Sequence, residues 1–136
     1  MKVTLDPGAK LPTRAHETDA GYDLYATENK LVPKFGEQIF STGVHVQIPE
    51  GYAGLLVSKS GLNINHGITS TGLIDSGYTG PIIVKLTNHS NHSYEIKPGD
   101  KITQLVLIKI TTPDLKFVNK LENTERGFNG LGSSGR

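Results

Sequence analysis

Glycine and proline punctuate this chain so often that few windows between them can carry an apolar stripe at helical period. Sixteen glycines and seven prolines are spread through it. Helices should be scarce. The runs left between these breakers are β-branched or alternate in polarity: Gln38 to Phe40, Val44 to Ile48, Tyr52 to Val57, Ile82 to Thr87, Ile102 to Ile110 and Leu115 to Val118. Pro49-Glu50-Gly51, Asp75-Ser76-Gly77 and Lys97-Pro98-Gly99-Asp100 each join a residue preset for a turn to a glycine that tolerates positive φ. Many short strands with regular turns predict an all-β sandwich or jelly roll. Short helices are expected only over Ser60 to His66 and Val118 to Arg126.

At 136 residues the chain is the size of one ordinary domain, able to bury about 68% of its unfolded surface without staples. Fourteen basic and 13 acidic side chains leave a formal charge of +1, so no bulk field gathers nucleic acid or an anionic membrane. An anionic ligand must be held by a local constellation. With no cysteine, a disulfide framework, a thiolate zinc site and a cysteine nucleophile are all excluded. No apolar run follows the lysine near the N-terminus, and none approaches the ~20 residues of a membrane span. The expectation is a soluble, unexported, cytoplasmic protein. From about Thr124 the sequence TERGFNGLGSSGR is too poor in large apolar groups to order itself. The chain therefore divides into a domain over 1–123 and a flexible glycine-rich arm over 124–136.

Five segments carry polar groups that strand or turn chemistry does not fully use. In AGYDLYA, Ala20 to Ala26, the carboxylate of Asp23 either faces solvent or serves a site. Ser58-Lys59-Ser60-Gly61 offers hydroxyls, an ammonium and glycine-flanked amides, a donor set suited to polyphosphate, or else a polar turn with Ser58 or Ser60 as helix N-cap. GLIDSGYTG, Gly72 to Gly80, reads as a hairpin, but Tyr78 directly after the turn is not explained by turn chemistry. Gln104 interrupts the apolar run of GDKITQLV, so its amide needs either neighbouring backbone or a ligand. RGFNGLGSSG has glycines that let amides converge on an oxyanion, with Arg126 as a fork and Ser133 and Ser134 as hydroxyls. The five histidines show no metal-ligand pattern, and no GxSxG elbow is present.

In order and spacing, these segments together resemble the five motifs of the trimeric dUTPases, over about Thr18 to Gly135. The resemblance implies a jelly-roll subunit in a homotrimer, with each active site shared between chains. It implies hydrolysis of dUTP to dUMP and pyrophosphate, which keeps uracil out of DNA and supplies dUMP for thymidylate synthesis. Asp75 would orient the attacking water, Tyr78 would pack on the deoxyribose, and Thr69, Gly72, Leu73 and Ile74 would lie in the segment that reads uracil. Ser58, Lys59, Ser60, Gly61 and Gln104 would bind phosphates, and Asp23 would help hold hydrated Mg2+. Arg126, Gly132, Ser133 and Ser134 would close over the triphosphate as a lid.

The sequence departs from the family pattern at two positions. Lys59 stands where arginine is usual, giving a point charge in place of a planar fork. Leu131 stands where a phenylalanine usually stacks on uracil; leucine covers the base without stacking, or Phe128 substitutes. The rival readings are a dCTP deaminase relative, whose extended signature is not found here, and a dUTP-binding regulatory protein. Neither direct nucleic-acid binding nor membrane association is implied.

Overall fold

The structure is a computed structural model that describes residues 1–130. Leu131, Gly132, Ser133 and Ser134, expected in the lid, lie outside the described residues. In chain order the elements are β1 (Lys2–Leu5), β2 (Gly21–Tyr25), β3 (Lys30–Val32), β4 (Glu37–Ser41), β5 (Val44–Gln47), β6 (Tyr52–Val57), α1 (Ser60–His66), β7 (Ile68–Thr69), β8 (Thr71–Ile74), β9 (Ile83–Asn88), β10 (Tyr94–Ile96) and β11 (Lys101–Lys109). The all-β jelly-roll-like architecture expected from the turn spacing is present.

One sheet has the order β2-β11-β6-β8 and another β4-β9-β7, with two-stranded ladders β1-β5 and β10-β3. Alternation decides which side chains enter the core. Along β9, Val84, Leu86 and Asn88 are buried while Ile83 and Lys85 face out. Leu24, Leu56 and Leu105 from the four-stranded sheet meet Phe40, Ile68, Val84 and Leu86 from the three-stranded one in a single apolar cluster. Burying each such side chain is worth about 1.5–3 kcal/mol, so this cluster outweighs the polar pairs at the rim. Among the described residues, no buried side-chain polar atom lacks a hydrogen-bond partner.

β11 runs antiparallel to both β2 and β6, and its register shifts between Lys101 and Thr103. Ile102 is thus an extra residue against β2, and both it and Thr103 are buried. The helix forms over the expected residues, but neither serine caps it. Lys59 occupies the N-cap without a side-chain cap bond, because the Ser58 hydroxyl is engaged elsewhere and Ser60 already lies inside the helix. Gly67 ends it in the left-handed region at φ 66°.

Beyond Ile110, whose amide donates to the Gly51 carbonyl at 2.9 Å, residues 111–130 form no strand or helix. The strand expected over Leu115 to Val118 and the helix expected over Val118 to Arg126 do not form in the single chain. Leu115 and Phe117 are fully or almost fully exposed, so this segment has neither a partner strand nor a surface to pack on within its own chain. No helix among the described residues is long and apolar enough to cross a membrane.

Candidate active site

Sheet pairing brings together residues that are far apart in sequence. Asp23 on β2 pairs with Gln104 on β11, Gln104 with Val57 on β6, and Val57 with Thr71 on β8. This row crosses the whole four-stranded sheet. Four of the five segments singled out in the sequence therefore meet on one sheet, with Ser58 and Lys59 immediately after Val57 at its edge.

Asp23 is 4% exposed and carries two cations. Lys59 Nζ lies 2.6 Å from its Oδ1 and Lys101 Nζ 2.7 Å from its Oδ2. Burial alone would raise the carboxyl pKa, but the hydrogen bonds and charges of Lys101 and Lys59 prevail and hold it below the ordinary carboxylate value. Hydrogen bonding to Asp23 in turn pushes the Lys101 ammonium up. Two ammonium groups against one carboxylate leave the cluster with a net positive charge, suited to an anion. Lys101 had no assigned role in the sequence reading, since a lysine at the start of a strand gives no signal until the fold places it against a buried carboxylate.

Behind this cluster is a hydroxyl network. Ser58 Oγ donates to the Ser70 carbonyl at 3.0 Å and accepts from the Ser70 amide at 2.9 Å. Ser70 Oγ shares a 2.8 Å hydrogen bond with Thr103 Oγ1, and the latter donates to the Val57 carbonyl at 3.0 Å. Ser58 thereby ties the end of β6 to the link between β7 and β8. Gln104 Nε2 donates to the Ser58 carbonyl at 3.4 Å, so the amide rests on neighbouring backbone here. Ser60 and Gly61 lie exposed in the first turn of α1, and Thr69 Oγ1 meets His89 Nε2 at 2.9 Å.

Asp75 lies at the other end of the β6-β8 ladder. Val57 pairs with Thr71 and Gly54 with Ile74, so Ser58 and Asp75 flank opposite ends, roughly 15 Å apart at strand rise. The turn after β8 is closed by the Tyr78 amide donating to the Asp75 carbonyl at 3.1 Å. Asp75 is exposed, and with Leu73, Ile74, Tyr78 and Ile83 it lines a cleft of about 200 Å3. Ile83, an outward residue of β9, is a wall that the sequence reading did not identify. Gly72 packs close to Leu56: a Cβ there would come within 3.1 Å of Leu56 Cδ1. The Tyr78 ring lies over Gly80, and its hydroxyl donates to the Pro81 carbonyl at 2.9 Å.

The described part of the arm stays apart from this cleft. Arg126 Nε donates to the Asn129 carbonyl at 2.9 Å, and Phe128 is fully exposed. Among the described residues, no group of three or more His, Cys, Asp or Glu is placed to hold a metal. Asp23, with both oxygens already paired, is not a dedicated magnesium cage. A lone anchored carboxylate does suit an ion that arrives on a triphosphate and keeps most of its waters.

The dUTPase family model matches residues 8–135. The deoxyuridine 5'-triphosphate nucleotidohydrolase of Candida albicans is 44% identical over 140 residues, covering 100% of this chain and 88% of the relative. That of Arabidopsis thaliana is 41% identical, covering 96% and 80%. In three dimensions the chain resembles the dUTPase of Staphylococcus bacteriophage 80alpha solved with dUpNHpp, with a TM-score of 0.91, 35% identity and coverage of 99% and 98%. A mutant dUTPase from phage phi11 of S. aureus, solved with a structural Mg(II) ion, superposes with a TM-score of 0.82 at 33% identity, covering 90% and 98%. With the family model spanning nearly its whole length and the same sheet carrying the matched motifs, the chain belongs to the dUTPase family.

Proposed function

We propose that this protein is a dUTP diphosphatase in which Asp75 takes a proton from the water that attacks the α-phosphorus of dUTP. The new bond joins the water oxygen to that phosphorus, the bond to the bridging oxygen breaks, and pyrophosphate leaves. Attack on a polyanion is limited by charge repulsion, so positioning and neutralisation supply most of the catalysis. The Lys59–Asp23–Lys101 cluster offers positive charge for the phosphates, with Ser60, Gly61 and Gln104 nearby. Magnesium bound with the triphosphate adds further neutralisation, and Asp23 is the residue that would help hold it.

The observation that carries this reading is the cleft formed by Leu73, Ile74, Asp75, Tyr78 and Ile83, which sets a single carboxylate among aliphatic and aromatic side chains. Uracil fits a rigid β8 backbone by edge hydrogen bonds. Cytosine reverses donor and acceptor there and would leave groups unpaired, a defect that can cost ~10⁴–10⁵ in selectivity. Tyr78 packs where a ribose 2'-hydroxyl would have to fit.

The separation of Asp75 from Ser58 and Lys59 supports a site shared between copies. One chain keeps the water-activating group and the cationic cluster roughly 15 Å apart, so a homotrimer would let one copy's cluster face another copy's cleft. Arg126, Phe128 and residues 131–134 would then close over the nucleotide from a third copy. Pyrophosphate release measured with dUTP, dCTP, dTTP and UTP side by side, with and without magnesium, tests the proposal. Release confined to dUTP and dependent on magnesium is expected; ammonia release from dCTP would overturn it.

A further inference from the structure

His45 stands between two acceptors. Its Nδ1 lies 2.8 Å from the Thr79 carbonyl oxygen and its Nε2 3.1 Å from Asp6 Oδ1. A carbonyl and an ionised carboxylate only accept, so both ring nitrogens must donate, and both carry hydrogens only in the imidazolium. The two anchors belong to different parts of the chain. Asp6 follows β1, and its amide donates to the Gly43 carbonyl at 2.8 Å. Gly43 adopts φ 63°, and a Cβ there would meet Ala9 Cβ at 2.8 Å, so the Asp6 loop is packed tightly onto the start of β5. Thr79 directly follows Tyr78, and three residues on, the Ile82 amide donates to the Val44 carbonyl at 2.8 Å. The segment that carries Tyr78 is therefore tied to β5 at two points, one of them His45.

We infer that His45 is a positioning residue: as a cation bridging Asp6 and Thr79, it fixes the segment behind Tyr78 and so sharpens rejection of ribonucleotides. This rests on the sugar-packing role proposed for Tyr78. The charged groups facing His45 are Asp6, from the loop after β1, and Lys2 of β1, which lines with His45 and Thr79 a surface hollow separate from the Asp75 cleft. Val46 and Gln47 of β5 and Thr79 bring no charge to it. The Thr79 hydrogen bond and Asp6 together raise the imidazole pKa above its ordinary 6.5. The bridge is thus complete at low pH and loses its Asp6 arm as pH rises through that raised value.

The test uses the full-length protein. The kcat/KM ratio of dUTP to UTP is measured from pH 6 to 9 for the wild type, His45→Ala, His45→Gln, Asp6→Asn and Tyr78→Ala. His45 is titrated in parallel by carbon-13 NMR. Expected is a wild-type ratio that falls with rising pH and a ratio about three- to tenfold lower in His45→Ala, the worth of one hydrogen bond. His45→Gln keeps a donor for Thr79 and should give a near-wild-type ratio that no longer varies with pH. Asp6→Asn should move the His45 titration downward and weaken the pH dependence. If Tyr78→Ala shifts the ratio while the His45 variants match wild type, the His45 role fails and the Tyr78 role stands. If Tyr78→Ala shifts nothing, both fall. Equal losses in His45→Ala and His45→Gln, or a His45 titration at or below the ordinary value that Asp6→Asn leaves unmoved, would also overturn it.

Discussion

Lys59 Nζ is 2.6 Å from Asp23 Oδ1, so the lysine expected to bind phosphate is held by a buried carboxylate within its own chain. In the proposed site, phosphate binding by Lys59 would draw it from Asp23 or share it, while Lys101 remains on the other oxygen. Asp23→Asn should cost about 1–2 kcal/mol of stability, since Lys101 is partly solvated while Asp23 is buried. It should also weaken binding of the magnesium complex of dUpNHpp. Urea unfolding and calorimetric titration of the same variant check both effects, and an unchanged affinity would place Asp23 outside the site.

Asp75→Asn should leave the fold and nucleotide binding intact while turnover falls at least ~100-fold. Single-turnover pyrophosphate release separates this from a binding defect. Wild-type turnover in the variant would remove Asp75 from the mechanism.

Gly80 should matter through Tyr78. A Cβ at Gly80 would lie 2.7 Å from Tyr78 Cζ, so Gly80→Ala must push the ring off its seat. Hydrolysis of UTP relative to dUTP is expected to rise, in the same direction as in Tyr78→Ala. A Gly80→Ala protein as selective as wild type would show that the ring's seat does not set sugar choice.

Of the residues that truncation after Glu125 removes, the described ones, 126–130, are all exposed and add nothing to the core, so folding should be preserved. Turnover should drop sharply if Arg126 and the residues beyond it cover the triphosphate. Thermal melting and steady-state kinetics of the shortened chain answer the two halves separately.

The imidazolium bridge also has a stability consequence with a definite sign. A group whose folded pKa is raised stabilises fully below its unfolded value and loses that contribution as pH climbs through the folded one. The melting temperature difference between wild type and His45→Gln should therefore shrink from pH 6 to pH 8.5. A constant difference would mean that His45 carries no extra proton in the folded state.

Much of the fold was legible because alternation and turn residues are local signals. β5, β6, β9 and α1 form within a residue of the expected spans, and Gly51 and Gly99 take positive φ in the expected turns. β3 and β10 gave no signal, being the two three-residue strands of a ladder that pairs across almost half of the chain. The site followed the same division. Asp75 and Tyr78 announce themselves by sitting in one turn, although the hairpin expected there does not form, because β8 pairs with β6 and β9 with β4 and β7 in the other sheet. Lys101, Ser70, Thr103 and Ile83 acquire meaning only when strands distant in sequence pair. The Leu115–Val118 run has strand-forming residues, but a strand is a relationship between two segments, and this one lacks its second.

The extra residue at Ile102 ties the chemistry of β11 to its length. Side chains alternate across a strand, so the inserted residue is what lets Lys101 and Gln104 reach the same side, one touching Asp23 and the other paired with it. Residues three apart fall on opposite faces of a regular strand, so a β11 of the same length that lost the bulge would swing the lysine away from Asp23. Ile102 and Thr103 both turn into the core at that point, so the irregularity that aligns the two polar groups is itself held by apolar burial and by the Thr103 hydrogen bonds.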